Sequence, residues 1–386
     1  MKLKTISLVI LLSISFSVFS QDKPQIDVGG ALRFNYNVSS WKDAQQSRGG
    51  DFGYDVFRIN AKAKYKGVKL NAEYRFYSTG FGGGMLKQGW VGYDFDPKNE
   101  IQIGLTQVPF GITQYNSHNW FFNLGYYVGL EDDHDMGVKY SHNGDNWEFR
   151  LGFFKNAEEL RFGNNSDISD SRYSYDVSSI DLDGDGDLDI RNKEINQFNG
   201  KFNYKFGGEN SQSKIGVSAQ FGGLYNMDTE ETGNRYAIAA HYEINAGNLN
   251  VKAQAANYKF NPENPAGEPD NVVAMGAYGY PYLAAAEANM YTLAVAYSVP
   301  VSWGPISNLQ FYNDFGMLDK VESNFENSFM NVTGVLVTAG QVYTYIDYAA
   351  GKDQPWLGPN WTDGLASGDP DAAWHARFNI NIGYYF

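Results

Sequence analysis

From Phe57 to Tyr65 the chain alternates without a break: Phe57, Ile59, Ala61, Ala63 and Tyr65 are apolar, and Arg58, Asn60, Lys62 and Lys64 stand between them. A strand sends successive side chains to opposite faces, so this segment carries one greasy face and one charged face. A helix would scatter both sets around its circumference. The same period recurs along the chain and predicts sixteen strands, at about 25–38, 53–66, 67–78, 85–95, 99–107, 134–142, 146–156, 195–206, 213–226, 233–245, 248–260, 288–299, 305–317, 326–338, 341–350 and 373–386. The last one ends Phe378, Ile380, Ile382, Tyr384, Phe386, apolar at every second position. Alternation is less clean between 286 and 350, which leaves fourteen or eighteen strands as alternatives.

A greasy face needs a second sheet or lipid to cover it. The connections choose between these. Short ones at Lys66-Gly67, Asp94 to Asn99, Asn143-Gly144-Asp145, Gly207 to Ser211, Ala246-Gly247 and Ala339-Gly340 alternate with long ones at 39–52, 108–133, 157–194, 261–287 and 351–372. Short turns on one rim and long loops on the other, with an even strand number, are the pattern of a bacterial outer-membrane barrel. The expected fold class is therefore all-β: a transmembrane antiparallel β-barrel of about 16 strands, with short periplasmic turns and long outer loops. After Gln21 no apolar run reaches the roughly 18 residues of a membrane-spanning helix, and a mean hydropathy of -0.44 argues against a helical bundle.

Residues 1–20 begin with Lys2 and Lys4, continue with an apolar stretch from Ile6 to Phe19, and place small residues, Val18 and Ser20, before Gln21. This reads as a secretory signal peptide, with 21–386 as the barrel domain. The bacterial outer membrane is the expected location, with its lipid as a partner. The chain has no Cys, which removes disulfides, thiolate metal sites and a cysteine nucleophile. With 44 acidic residues against 30 basic ones, nucleic acid is a poor partner.

If the polar faces point inward, basic side chains outnumber acidic ones in the lumen. Arg33, Arg58, Lys62, Lys64, Lys69, Arg75, Lys139, Arg150 and Lys201 are the candidate channel-lining cations, and strands two and three concentrate them. A narrow low-dielectric channel focuses such charges and concentrates anions. Alternatively these cations only solvate a wide lumen and pair with Glu73 and Glu148. Strand five ends in Thr106-Gln107-Val108-Pro109-Phe110-Gly111, where Pro109 stops ladder pairing and Gly111 allows a sharp redirection. The aromatic and amide-rich stretch that follows is the third outer loop. Folded inward, it would make Tyr115, Asn116, His118, Asn119 and Trp120 constriction residues; packed on the rim, it would not.

Gly104 to Gly111 entering this loop, Glu131-Asp132-Asp133-His134-Asp135-Met136-Gly137 leaving it, the sixteen-strand layout and the terminal Phe together resemble the phosphate-selective porin O and P family of Bacteroidetes-type bacteria. The resemblance implies a homotrimeric porin passing small anionic solutes such as phosphate. Residues 108–133 contain no Lys or Arg, a departure from the basic constriction of that family. Two other readings stay open: a carbohydrate or general diffusion porin with Trp90, Tyr115 and Trp120 as a stacking track, and a non-conducting barrel serving as a surface or structural protein.

In the longest outer loop, Asp181, Asp183, Asp185, Asp187 and Asp189 occupy alternate positions, with Gly186 where a calcium loop turns sharply. Position 12 is Asn192 rather than Glu. A structural calcium ion there is the expectation, against a merely solvated acidic loop. Asp132-Asp133-His134-Asp135 could also hold a metal, but alternation sends His134 and Asp135 to opposite faces, and a charged run at a loop end is expected to be solvated. No spacing places a nucleophile beside a histidine, and Gly82-Gly83-Gly84 lacks the lysine of a phosphate-binding loop, so no catalytic residues are assigned and the chain is not read as an enzyme.

Overall fold

The computed structural model describes residues 23–386 apart from 159–170, 183, 185–187 and 209. The expected signal peptide, residues 1–20, lies outside them. In chain order the strands are β1 Gln25–Ser39, β2 Asp51–Tyr65, β3 Val68–Phe76, β4 Gly84–Asp96, β5 Asn99–Gln107, β6 His134–Asn143, β7 Trp147–Asn156, β8 Asp176–Val177, β9 Ser179–Ile180, β10 Ile190–Gly208, β11 Ser211–Asn226, β12 Thr232–Ala246, β13 Leu249–Asn261, β14 Val272–Ala277, β15 Tyr280–Ala285, β16 Glu287–Trp303, β17 Ile306–Lys320, β18 Ser328–Ala339, β19 Val342–Lys352 and β20 His375–Tyr385. All but β8, β9, β14 and β15 form the wall. Each of those sixteen pairs antiparallel with the next, and β20 pairs with β1, so the sheet closes and no edge strand is left.

The short connections gather on one rim. At the tightest, Lys66 and Gly67 both take positive φ, 48° and 85°, the twist that suits a two-residue hairpin. Across this turn Arg58 stands opposite Arg75 and Ile59 opposite Tyr74, so cations share one face and apolar groups the other. Ile26, Val28, Ile59, Leu70, Val91 and Ile103 are exposed on the outer face. Tyr65, Tyr93, Trp147, Tyr204 and Tyr297 are exposed beside the short turns, and Phe76, Phe221 and Tyr348 toward the opposite rim. An apolar band between aromatic girdles is the surface a barrel shows to a bilayer. No helix of the described residues is long and apolar enough to cross a membrane.

The long loops differ from their predicted character in one respect. The 261–287 connection contains the β14–β15 hairpin, turned at Tyr278 and Gly279, and β14 also pairs with β8 from the fourth outer loop. All of β14 is buried. Together with the 3-10 turn Leu124–Val128 of the third loop, these strands build a tyrosine-rich core, in which Tyr126, Tyr173, Tyr175, Tyr278 and Tyr282 pack against one another. The barrel is thus partly filled by protein on its long-loop side.

Candidate functional site

The third outer loop turns into the lumen. At Gly111, φ is +53° and the N–H donates to Ser218 Oγ of β11 at 2.9 Å, while Ile112 N–H donates to Gln254 Oε1 of β13 at 2.9 Å. A Cβ at Gly111 would overlap the Gln254 amide, so the inward bend requires glycine. From there the loop follows the inner wall. Asn116 Nδ2 donates to Thr292 Oγ1 of β16 at 2.6 Å, and Lys252 Nζ of β13 donates to the carbonyls of Tyr115 and Ser117 at 2.8 and 3.2 Å. Asp314 of β17 accepts the N–H groups of His118 and Asn119 at 2.6 and 3.0 Å and the Asn119 side-chain amide at 2.7 Å. His118 sets Nδ1 2.8 Å from Asp314 Oδ1 and Nε2 2.6 Å from Asn250 Oδ1. A Cβ at Gly316 would collide with the Asn123 amide, so the loop approaches β17 closely only because that position is glycine.

The returning stem is held by charge. Lys87 of β4 donates to Asp132 Oδ2 at 2.6 Å, with Tyr173 Oη on the same oxygen at 2.8 Å and Gln107 Nε2 on the other at 3.0 Å. Lys87 and Asp132 are 2% and 3% exposed, so the pair is fully withdrawn from water. Glu131 accepts the N–H groups of Asn116 and Asn123, at 2.9 and 3.1 Å, and burial pushes its carboxyl up to about 7. The charged run at the loop exit is therefore not solvated as its sequence suggests. Glu131, Asp132, Asp133, His134 and Asp135 are all buried, because the fourth loop and β10 cover them.

With the loop laid along β11 to β17, the remaining space lies against β1–β3 and β18–β20. It is a cavity of about 690 Å³ lined by Arg33, Arg58, Arg75 and Arg377, by Asp51 and Asp55, and by Tyr115, Ser117, His118, Asn119, Trp120, Phe121 and Phe122 of the loop. Half of its lining residues are aromatic, so each guanidinium works beside a ring rather than in open water. Arg58 lies over Tyr385 at 5.1 Å and Arg75 over Tyr173 at 4.4 Å. Several cations are also paired. Arg33 Nε is 2.9 Å from Asp55, which a bulge in β2 leaves without a ladder partner, and Glu73 is 2.6 Å from Arg75 and 3.3 Å from Arg58. Arg377 has no carboxylate partner among the described residues; it donates to Ser39 Oγ at 3.2 Å and lies over Trp41.

The other predicted residues fall in three places. Lys64 and Lys69 share Asp94 toward the short-turn rim, at 2.9 and 2.6 Å, and Lys62 is exposed beside them. Lys139, Arg150 and Lys201 meet under the third loop around a small cavity of about 70 Å³, where Lys139 donates to the Gln107 carbonyl and Lys201 to Thr113 Oγ1, both at 2.7 Å. Asn116 does not face the cavity: 1% exposed and bonded to the wall, it positions the loop. Arg377, which the last strand's polar series places on the inward face, also lines the cavity. In the Asp-rich loop, Gly184 N–H donates to Asp181 Oδ1 at 2.7 Å and Leu182 N–H to Asp189 Oδ2 at 2.5 Å; Asp183, Asp185 and Asp187 lie outside the described residues.

A closed antiparallel barrel, greasy outside and polar inside, is a bacterial outer-membrane protein, since only a closed sheet satisfies its backbone within lipid. Among solved structures the chain is similar to the anion-selective porin from Comamonas acidovorans, with a TM-score of 0.59 and 13% identity over 94% of this chain and 100% of that one. It is likewise similar to the outer membrane channel DcaP of Acinetobacter baumannii, with 0.58, 10%, 94% and 97%. The trimer form of OmpT, an outer membrane protein of Vibrio cholerae, gives 0.57, 15%, 95% and 100%. The fold is that of outer-membrane porins. No family model and no curated protein matches the chain.

Proposed function

We propose that this protein is a passive diffusion porin of the bacterial outer membrane that passes small anions such as phosphate, as a relative of the phosphate-selective porin O and P family. The observation that carries the reading is the charge of the cavity beside the third loop: four arginines against Asp51 and Asp55. Glu73, paired behind Arg58 and Arg75, still leaves one cation in excess. In a confined, aromatic-walled space that excess repels cations and draws anions. The fold likeness to a porin named anion-selective, and to a trimer form of another barrel, supports anion passage and a homotrimer. Replacing Arg58 and Arg377 together by Gln is expected to move the reversal potential in a salt gradient toward cations; an unchanged potential would overturn the reading.

A carbohydrate porin is the second reading, favoured by Tyr115 and Trp120 lining the same cavity. Trp90 stands opposite Asn71 on the inner wall, outside that cavity. Block of the current by an oligosaccharide, with little ion selectivity, would favour it. For the Asp-rich loop, a structural calcium ion at Asp181, Asp183, Asp185, Asp187 and Asp189 is part of the proposal. Its test is whether Asp183→Ala with Asp185→Ala abolishes the effect of calcium on loop proteolysis.

A further inference from the structure

Asp133, Asp135 and Asp176 bring one carboxylate oxygen each to within 4.8 Å of one another, at the long-loop end of the barrel. They come from three different places: the last residue of the third loop, the outer end of β6, and the short strand β8 of the fourth loop. Their exposures are 4%, 1% and 1%. Burial this deep demands partners, yet both oxygens of Asp133, both of Asp176 and one of Asp135 accept no hydrogen bond. The remaining oxygen of Asp135 takes one bond from Gln197 Nε2, at 3.2 Å, while Gln197 Oε1 is itself unpartnered and 2% exposed. The contrast with Asp132 one residue earlier is direct, since every oxygen there is used.

The surroundings do not neutralise the cluster. Arg235 faces all three carboxylates but is already in contact with Glu194, and Arg172 faces Asp135, Asp176 and Glu158. Five buried carboxylates thus face two guanidiniums. Left ionised and uncompensated in a water-poor site, three carboxylates would cost more than a folded barrel can absorb, so they hold either a cation or protons. Oxygen-only donors within 4.8 Å of one another can close on one hard cation with bonds of ~2.4 Å. Thiolate or imidazole metals find no ligand among these three. No described lysine or arginine comes within salt-bridge distance of these three carboxylates, and Arg235 and Arg172 act on them only from farther away.

We propose that Asp133, Asp135 and Asp176 form a divalent-cation site of the calcium class, with water completing the coordination, and that the ion staples the exit of the constriction loop to the fourth loop and the wall. The site is separate from the Asp181–Asp189 run and does not depend on which solute the pore passes. It lies at the outer end of the barrel, next to a medium where calcium is abundant enough for a dissociation constant of ~10⁻⁴–10⁻³ M to suffice. Its rival is a proton shared between Asp133 and Asp176, which lie close enough for that.

The test uses the full mature chain folded in detergent. Terbium(III) luminescence, sensitised by the neighbouring Tyr173 and Tyr175, and calcium titration calorimetry read the site. Thermal midpoints are taken with calcium and with chelator. Asp133→Asn with Asp176→Asn is expected to lower calcium affinity at least ~10-fold and to remove the calcium-dependent rise in midpoint, while Asp183→Ala with Asp185→Ala leaves both in place. The signs also cross: in chelator the double Asn variant melts above the wild type, having lost two unpaired buried charges, and in calcium it melts below. A wild-type midpoint that calcium does not move, or a double Asn variant that binds calcium as tightly as the wild type, would overturn the proposal.

Discussion

Asp314→Ala tests whether the third loop is held in the lumen by the bonds described above. Asp314 is 1% exposed and receives two backbone N–H groups, those of His118 and Asn119, besides the Asn119 amide and a ring nitrogen of His118. Removing it strands those donors against an apolar methyl. A buried donor left unpaired costs about 1–3 kcal/mol, so the two backbone groups alone give about 4 kcal/mol at the middle of that range. That is a shift of roughly 10³ in the balance between a docked and a released loop tip. The flanking anchors, Asn116 on Thr292 and Asn123 on the Phe315 carbonyl, survive, so the segment from Ser117 to Phe122 moves while the barrel stays folded. Single-channel recording reads this as greater open-channel noise with brief closures, and Asp314→Asn, which keeps one acceptor oxygen, gives an intermediate trace. A trace as quiet as the wild type's, at the same conductance, would refute the anchoring.

Lys87→Met leaves Asp132 charged, buried and without its cation, and is expected to destabilise the protein by about 3–5 kcal/mol in detergent unfolding; adding Asp132→Asn should restore most of the loss. Ile103→Lys sets a cation on the lipid face near the middle of β5 and should cost about 2–4 kcal/mol in bilayer refolding, against little for a Lys on the lumen face. Gly316→Val drives a side chain into Asn123 and Leu124, so it should detach the loop much as Asp314→Ala does, with the same noise in single-channel traces.

The wall was legible because lipid on one side and water on the other impose a strict period of two. Phe57 to Tyr65 shows that period in full, and all sixteen wall strands lie where alternation places them. Where both faces of a strand are buried the period vanishes. Val272-Val273-Ala274-Met275 reads as an apolar fragment of a long loop, and is in fact the interior strand β14. The inward turn of the third loop was marked by Pro109 and Gly111, but its destination was not, since Ser218, Gln254, Thr292 and Asp314 are distant in sequence. Charge pairing was hidden for a related reason. Whether Arg33 is free depends on a bulge that frees Asp55, and whether Glu73 serves Arg58 or Arg75 depends on register. Counting cations on inward faces overstates the basic wall; the arginines beside the cavity are what it leaves.

On the proposed function, this barrel encloses an ion path whose arginine-lined wall favours anions. Planar-bilayer recording of the wild-type protein under a potassium chloride gradient addresses it most directly. Discrete conductance steps with a reversal potential displaced toward the chloride equilibrium potential are expected, whereas absent steps, or displacement toward that of potassium, would overturn anion passage.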